Sequence, residues 1–215
     1  MLILNLLRTN PIIALIFVAG LIAAITVHEC AHALVAYRLG DPTAKLQGRL
    51  TLNPLAHLDP VGTIALLLLG FGWGKPTPFD PYNLRNIKRD SALISVAGAA
   101  SNFLLALLLS APYLILHFTN QVTPQIAGFY SIISAAILVN VLLGIFNLIP
   151  IHPLDGFKVL AGLLPKSWYL DFMQMERYGI FILLLLLVTN TISKIILPLA
   201  AFVFGILLPG LNVAF

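Results

Sequence analysis

Two histidines and a glutamate stand together near the end of a long apolar run, in the stretch TVHECAHA of residues 26–33. His28 and His32 are four residues apart, so a helix would place both imidazoles on one face. At that separation two ring nitrogens can hold one zinc ion, with Glu29 beside it. A catalytic zinc activates water, and a neighbouring carboxylate then acts as general base. The spacing predicts hydrolytic zinc chemistry, and the alternative is a set of polar residues hydrogen-bonded at a helix end.

A third zinc ligand has to come from another segment, because catalytic sites commonly combine about three protein ligands with a water. Asp155 is the best candidate, in the stretch NLIPIHPLDG of residues 147–156. It follows an apolar run that prolines break at the depth expected for His28, and a carboxylate oxygen suits zinc. The alternative is a loop aspartate that forms a turn with Gly156.

The composition places these residues in a membrane protein. Of the 215 residues, 60% are hydrophobic and 9% are charged. Several apolar runs reach the roughly 20 residues that cross a bilayer, and their unbroken apolar character indicates helices rather than a barrel. The predicted fold class is an all-α integral membrane protein, a polytopic helical bundle. The runs are Pro11 to Val27, Val61 to Trp73, Ala92 to Leu116, Ile126 to Pro150 and Gly179 to Leu208.

Charge patterning predicts the orientation of these helices. Net charge is +4, too little to make nucleic acid the expected partner, and the basic residues cluster in three connections that should be cytoplasmic. The connection 117–125 has no Lys or Arg and should lie on the opposite side. The clusters are Arg38, Lys45 and Arg49; Lys75, Arg85, Lys88 and Arg89; and Lys158, Lys166 and Arg177.

Three shorter segments carry their own predictions. Val61 to Trp73 has basic residues on both sides and is short, which favours a re-entrant or interfacial segment over a span. Lys45 to Leu52 has β-compatible residues, which predicts a short strand or hairpin at the membrane surface, able to pair with an unwound substrate. The C-terminal run is interrupted at residues 189–191 and could form two helices or one kinked helix.

The two motifs together resemble the site-2 proteases, which are intramembrane zinc metalloproteases. HECAH is similar to the HExxH motif of that family, and NLIPIHPLDG is similar to its Asn-x-x-Pro-x-x-Pro-x-Asp-Gly motif. The resemblance runs from Thr26 to about Leu160 and implies one zinc ion per chain. It implies metal ligands at His28, His32 and Asp155, and catalytic roles for Glu29 and Asn147, the latter holding the oxyanion or the substrate near the metal.

Further stretches extend this resemblance and leave some roles open. AGAASN is similar to a family Ala-Gly-Pro-x-Ser-Asn stretch with Ala99 in place of the proline, so Asn102 could pack or function. We expect His57 to be a hydrogen-bonding residue of a surface loop and His117 to be solvated. His152 is either a turn residue or a group that tunes the site.

The sequence thus predicts a single membrane-embedded domain over residues 1–215. Its expected activity is that of an intramembrane zinc endopeptidase acting in regulated intramembrane proteolysis. The expected partners are the lipid bilayer and a transmembrane protein substrate, without nucleic acid. The expected location is the plasma membrane of a prokaryote, with the active site toward the cytoplasm. A metal-ion transporter and a catalytically silent membrane binding protein are the alternatives.

Overall fold

The computed structural model describes residues 9–69, 72–119 and 127–209, and these residues form helices and connecting turns without a strand. Short 3₁₀ turns lie at Pro54–Ala56 and Pro81–Asn83. The helices are α1 (Pro11–Leu39), α2 (Thr43–Leu46), α3 (Pro60–Leu69), α4 (Ile87–Phe118), α5 (Ala127–Asn147), α6 (Asp155–Leu163), α7 (Lys166–Met173), α8 (Glu176–Val188) and α9 (Thr191–Leu207).

Three of these helices, α1, α4 and α5, are long and apolar enough to cross a membrane. The pair α8 and α9 is long and apolar enough only when taken together, and a bend of 77° between them makes it a broken span or a re-entrant loop. Asn190 lies at the break with a left-handed φ of 56°, a conformation that asparagine tolerates better than most residues. The C-terminal run is therefore two helices, and the all-α polytopic membrane fold is confirmed.

Helix α4 lies at the centre of the bundle and contacts α1, α5 and α6. Its buried positions carry mainly small side chains, among them Gly98, Ala99 and Ala106. Small residues let neighbouring helix backbones approach closely inside a membrane. About two turns farther along α4 from Gly98, Ala106 packs in one apolar cluster with Ile137 of α5 and Ala200 of α9.

The segment around α3 folds back on itself, which fits both a re-entrant and an interfacial segment. Helix α3 has ten residues, too few to cross the roughly 30 Å hydrocarbon core at 1.5 Å per residue. The chain then returns, since Gly74 forms an isolated antiparallel bridge with Leu58. The two limbs touch closely, because a Cβ on Gly62 would overlap the carbonyl of Trp73.

The predicted strand from Lys45 to Leu52 is wrong. Asp41 Oδ1 accepts hydrogen bonds from both the N–H and the hydroxyl of Thr43, and such a local bond favours a helical turn. Gly48 then turns the chain at a φ of +70°, and the N–H of Arg49 donates to Ala44 O at 2.8 Å. These local bonds use the backbone groups that a strand would offer. The fold of this segment therefore does not support strand addition to an unwound substrate.

Candidate metal centre

Helix α1 brings the predicted histidines and glutamate together in the interior. One donor atom from each of His28, Glu29 and His32 lies within 4.8 Å of the others. The two imidazoles are buried, with 5% and 8% of their residues' surface exposed, and their ring centroids are 4.6 Å apart. The helical register therefore places both rings on one face, as the spacing predicts.

Asp155 reaches the same point from α6, whose first residue it is. Its Oδ2 lies 3.0 Å from Nε2 of His28 and 3.2 Å from Nε2 of His32. Gly156 makes this approach possible, because a Cβ there would overlap the carbonyls of Leu148 and Ile149. The Asp-Gly pair of the motif thus has a steric reason as well as a chemical one.

Asn102 holds the ring of His28 from α4. Its Oδ1 lies 2.7 Å from Nδ1 of His28, while its amide nitrogen donates to Ala24 O at 3.1 Å and to Asn140 Oδ1 at 3.0 Å. Because the amide nitrogen is used by these two acceptors, the oxygen faces the ring, and Nδ1 of His28 is the donor. The Nε2 of His28 is then left with a lone pair directed at Asp155.

His32 is held in the same way by a backbone group, since its Nδ1 lies 2.7 Å from Ile94 O. Two Nε2 lone pairs and the Asp155 carboxylate therefore converge. Within the part of the chain that the structure describes, Asp155 Oδ2 is buried without a hydrogen-bond donor. Buried acceptors without a proton between them are costly, and a cation among them removes that cost. Neutral imidazole nitrogens and a carboxylate oxygen are ligands that zinc prefers.

Gly98 provides the space for this cluster on α4. A Cβ built there would lie 2.5 Å from Cε1 and Nε2 of His32 and 2.6 Å from Cε1 of His28. The glycine in AGAASN is therefore needed for the two imidazoles to lie against α4. Together, Gly98 and Asn102 give this stretch a direct part in shaping the site.

Glu29 lies beside the cluster on the same helix, and a loop residue holds its carboxylate. The N–H of Thr77 donates to Glu29 Oε2 at 2.8 Å. The other carboxylate oxygen, Oε1, accepts no hydrogen bond from the described residues. That oxygen can therefore accept a proton from a water beside the cluster.

For Asn147, the structure shows a hydrogen bond within its own helix. Asn147 is the last residue of α5, and its amide nitrogen donates to Leu143 O of its own helix at 3.0 Å. Sequence reasoning missed Asn140 and Thr77 and left Asn102 undecided. A buried asparagine in an apolar membrane helix was the available signal for Asn140, since intramembrane polar groups indicate function by default.

The remaining histidines lie in different settings. His57 was expected at the surface, but it is fully buried and bonds Thr51 O through Nε2 at 2.8 Å, so only its hydrogen-bonding part was right. His152 faces α8, with Nδ1 3.5 Å from Glu176 Oε1. His117 stacks on the ring of Tyr113 at 5.8 Å.

A helical membrane bundle that brings two buried histidines together with Glu29 and Asp155 has the donor set of a membrane-embedded metallopeptidase. The chain belongs to peptidase family M50, the site-2 protease family, which it matches over residues 16–188. It is 40% identical over 184 residues to "Putative zinc metalloprotease YwhC" of Bacillus subtilis (strain 168), covering 85% of this chain and 84% of that protein. It is 30% identical over 186 residues to "Putative zinc metalloprotease Rip2" of Mycolicibacterium smegmatis (strain ATCC 700084 / mc(2)155), covering 84% and 69%. No solved structure matches the chain.

The family and the fold together establish the broad class of this protein. It is a multi-pass membrane protein and a zinc metalloprotease, with a membrane-protein substrate and a lipid environment. The predictions of hydrolase class and of a zinc cofactor are confirmed.

Proposed function

We propose that this protein is an intramembrane zinc endopeptidase that cleaves a peptide bond in or near the transmembrane segment of another protein, as in regulated intramembrane proteolysis. The observation that carries the proposal is the depth of the cluster. His28 lies ten positions before Arg38 at the end of α1, about 15 Å along the helix axis. A charged or polar group at that depth is costly and is retained for function.

In this proposal His28, His32 and Asp155 hold the zinc ion. When bound, the metal lowers the pKa of a coordinated water and polarises the scissile carbonyl. Glu29 accepts the proton of the attacking water on its free Oε1 and delivers it to the leaving amine, as a general base and then a general acid. Asn147 is proposed to approach the oxyanion or the substrate backbone once substrate is bound, on the family likeness alone.

The proposed orientation places the cluster toward the cytoplasm of a prokaryotic cell. The support is the basic connection between α3 and α4, which contains Lys75 and Arg85, and Arg38 at the end of α1. Basic residues beside membrane spans favour the cytoplasmic side. We also propose that residues 1–215 act as one membrane-embedded domain.

The metal ligands are tested by zinc content and cleavage measured on the same purified variants. His28→Ala, His32→Ala and Asp155→Ala should each lose zinc and cleavage of a test substrate with one transmembrane segment, because each change removes a donor atom. His117→Ala is the matched control and should keep both, since His117 stacks on Tyr113 at the end of α4. Full zinc occupancy in Asp155→Ala would show that another group is the third ligand.

The substrate class is tested in cells. Membrane proteomes from cells with the wild-type protein and with Glu29→Gln should differ in fragments of proteins that have one transmembrane segment. Fragments that depend on Glu29 but come only from water-soluble proteins would contradict intramembrane cleavage.

A further inference from the structure

Thr77 makes two hydrogen bonds to Glu29 from outside α1. Its backbone N–H donates to Glu29 Oε2 at 2.8 Å, and its hydroxyl donates to the backbone carbonyl of Glu29 at 3.0 Å. One bond fixes the carboxylate, and the other fixes the loop residue to the helix that carries that carboxylate. The pair therefore sets both the distance and the direction from which Glu29 is held.

The residues around Thr77 restrict the chain to one donor at this point. Thr77 lies between Pro76 and Pro78, and proline has no backbone N–H. A residue before proline is also confined to extended conformations. The amide of Thr77 is thus the only N–H that this tripeptide can offer, and it is directed at Glu29.

Arg49, which follows α2 in the chain, anchors the same segment. Its guanidinium donates to the carbonyls of Lys75, Pro76 and Ala56, and the residue is buried, with 4% of its surface exposed. A planar guanidinium can bind several acceptors at once in fixed directions, which a lysine ammonium cannot reproduce. The two residues before Thr77 are therefore held by one buried cation.

The segment is fixed on its other side as well. The N–H of Lys75 donates to His57 O at 2.8 Å, and Gly74 packs against Ile25, one helical turn before Glu29. The chain from Gly74 to Thr77 thus lies along the part of α1 that carries the metal cluster. Nothing in this arrangement is needed to bind a metal, but all of it bears on where the Glu29 carboxylate points.

We propose that Thr77 is a positioning residue for Glu29, and that Arg49 holds Thr77 in register. The Thr77 N–H occupies Oε2 and so presents Oε1 to the attacking water. The inference rests on the proposed role of Glu29 as general base. It predicts that disturbing this contact slows turnover while zinc binding and substrate affinity are kept.

The first test changes Thr77 in the full-length protein and measures zinc stoichiometry, kcat and KM with the single-span test substrate. Thr77→Pro removes both donors and should lower kcat by roughly 10- to 100-fold, the loss expected for a hydrogen bond to a charged group. Thr77→Val removes only the hydroxyl and should lower kcat by about fivefold, whereas Thr77→Ser keeps both donors and should restore it. Zinc stoichiometry and KM should stay at wild-type values throughout.

The second test changes the anchor. Arg49→Lys cannot bind the three carbonyls together and should lower kcat in the same way as Thr77→Val, again without loss of zinc. Thr189→Val is the matched control, because the Thr189 hydroxyl bonds Leu185 O and the Thr191 hydroxyl at the junction of α8 and α9 and makes no described bond to Glu29 or Thr77. That variant should match the wild type in kcat, KM and zinc.

The outcomes separate the inference from the proposed function. Wild-type kcat in folded Thr77→Pro, or in Thr77→Val if the proline variant does not fold, would overturn the positioning role. A parallel fall in zinc and kcat in Thr77→Val would also overturn it, since it would indicate a structural role. Glu29→Gln is measured beside them: substantial turnover in that variant would refute the general base itself, whereas an inactive Glu29→Gln with a fully active Thr77→Val would refute only the inference.

Discussion

Replacing Gly98 by alanine should damage the metal centre without changing any donor atom. The added Cβ would lie 2.5 Å from two ring atoms of His32 and 2.6 Å from Cε1 of His28, whereas ordinary contact begins at 3.4 Å. The added Cβ would therefore be about 0.9 Å closer to the His32 ring than ordinary contact allows. The rings cannot simply turn away, because both Nδ1 atoms are held by hydrogen bonds of 2.7 Å. Helix α4 or the imidazoles must therefore shift by about 1 Å, a displacement that can cost roughly 100-fold in rate.

The assay is zinc stoichiometry and cleavage of a single-span substrate on one preparation of Gly98→Ala. We expect zinc affinity to fall by about 10- to 100-fold and cleavage to fall with it. Gly20→Ala is the matched control on α1, because its Cβ would meet only Ala136 Cα at 3.9 Å; it should keep zinc and activity, with a helix stabilised by up to about 1 kcal/mol. Wild-type zinc content and cleavage in Gly98→Ala would refute the steric reasoning.

Three further predictions follow from named contacts. Asn102→Leu leaves Nδ1 of His28 without its acceptor and should weaken zinc binding by about 10- to 100-fold, measured by competition with a chelator; unchanged affinity would contradict it. In a cysteine-free background, a cysteine at Asn83 should be labelled only from the cytoplasm and one at Thr119 only from outside; labelling of both from one side would contradict the proposed orientation. Burial acts to raise the pKa of Asp41, but hydrogen bonds from Asn83 and nearby donors hold it below its ordinary 3.8. The stabilisation is therefore present above that pH and lost as pH falls through the lower folded-state pKa. Asp41→Asn should cost about 1–3 kcal/mol of unfolding free energy and remove this pH dependence in thermal unfolding, and an Asp41→Asn curve identical to wild type would contradict it.

The parts of this protein that were predictable depend on short-range spacing and composition. Twenty or so apolar residues determine a membrane helix wherever they occur. The four-residue spacing of His28 and His32 determines that the rings share a face once the segment is helical. The position of Asp155 beside the histidines could be predicted because its glycine neighbour and the preceding prolines mark the end of an apolar run.

The parts that were missed depend on contacts between distant segments. The stretch KLQGRLTL has residues that favour a strand, but Asp41 and Gly48 turn the chain locally. The Arg49 side chain also donates hydrogen bonds to backbone carbonyls of a distant segment. Nothing in the local sequence of Thr77 indicates that its N–H meets Glu29, 48 residues earlier in the chain. His57 was expected at the surface because it follows Asn53 and Pro54 in a predicted surface loop, whereas it is buried and its carbonyl accepts a hydrogen bond from the N–H of Lys75.

The most direct test of the central claim is zinc stoichiometry and cleavage in Glu29→Gln. Glutamine nearly matches the shape of glutamate but cannot accept the proton of the attacking water. Glu176→Gln is the matched control, since Glu176 lies at the start of α8 and is the other glutamate of the chain; it should keep zinc and cleavage. We predict that Glu29→Gln keeps one zinc ion per chain and loses nearly all turnover. Substantial cleavage by Glu29→Gln, or loss of its zinc together with its activity, would contradict the account.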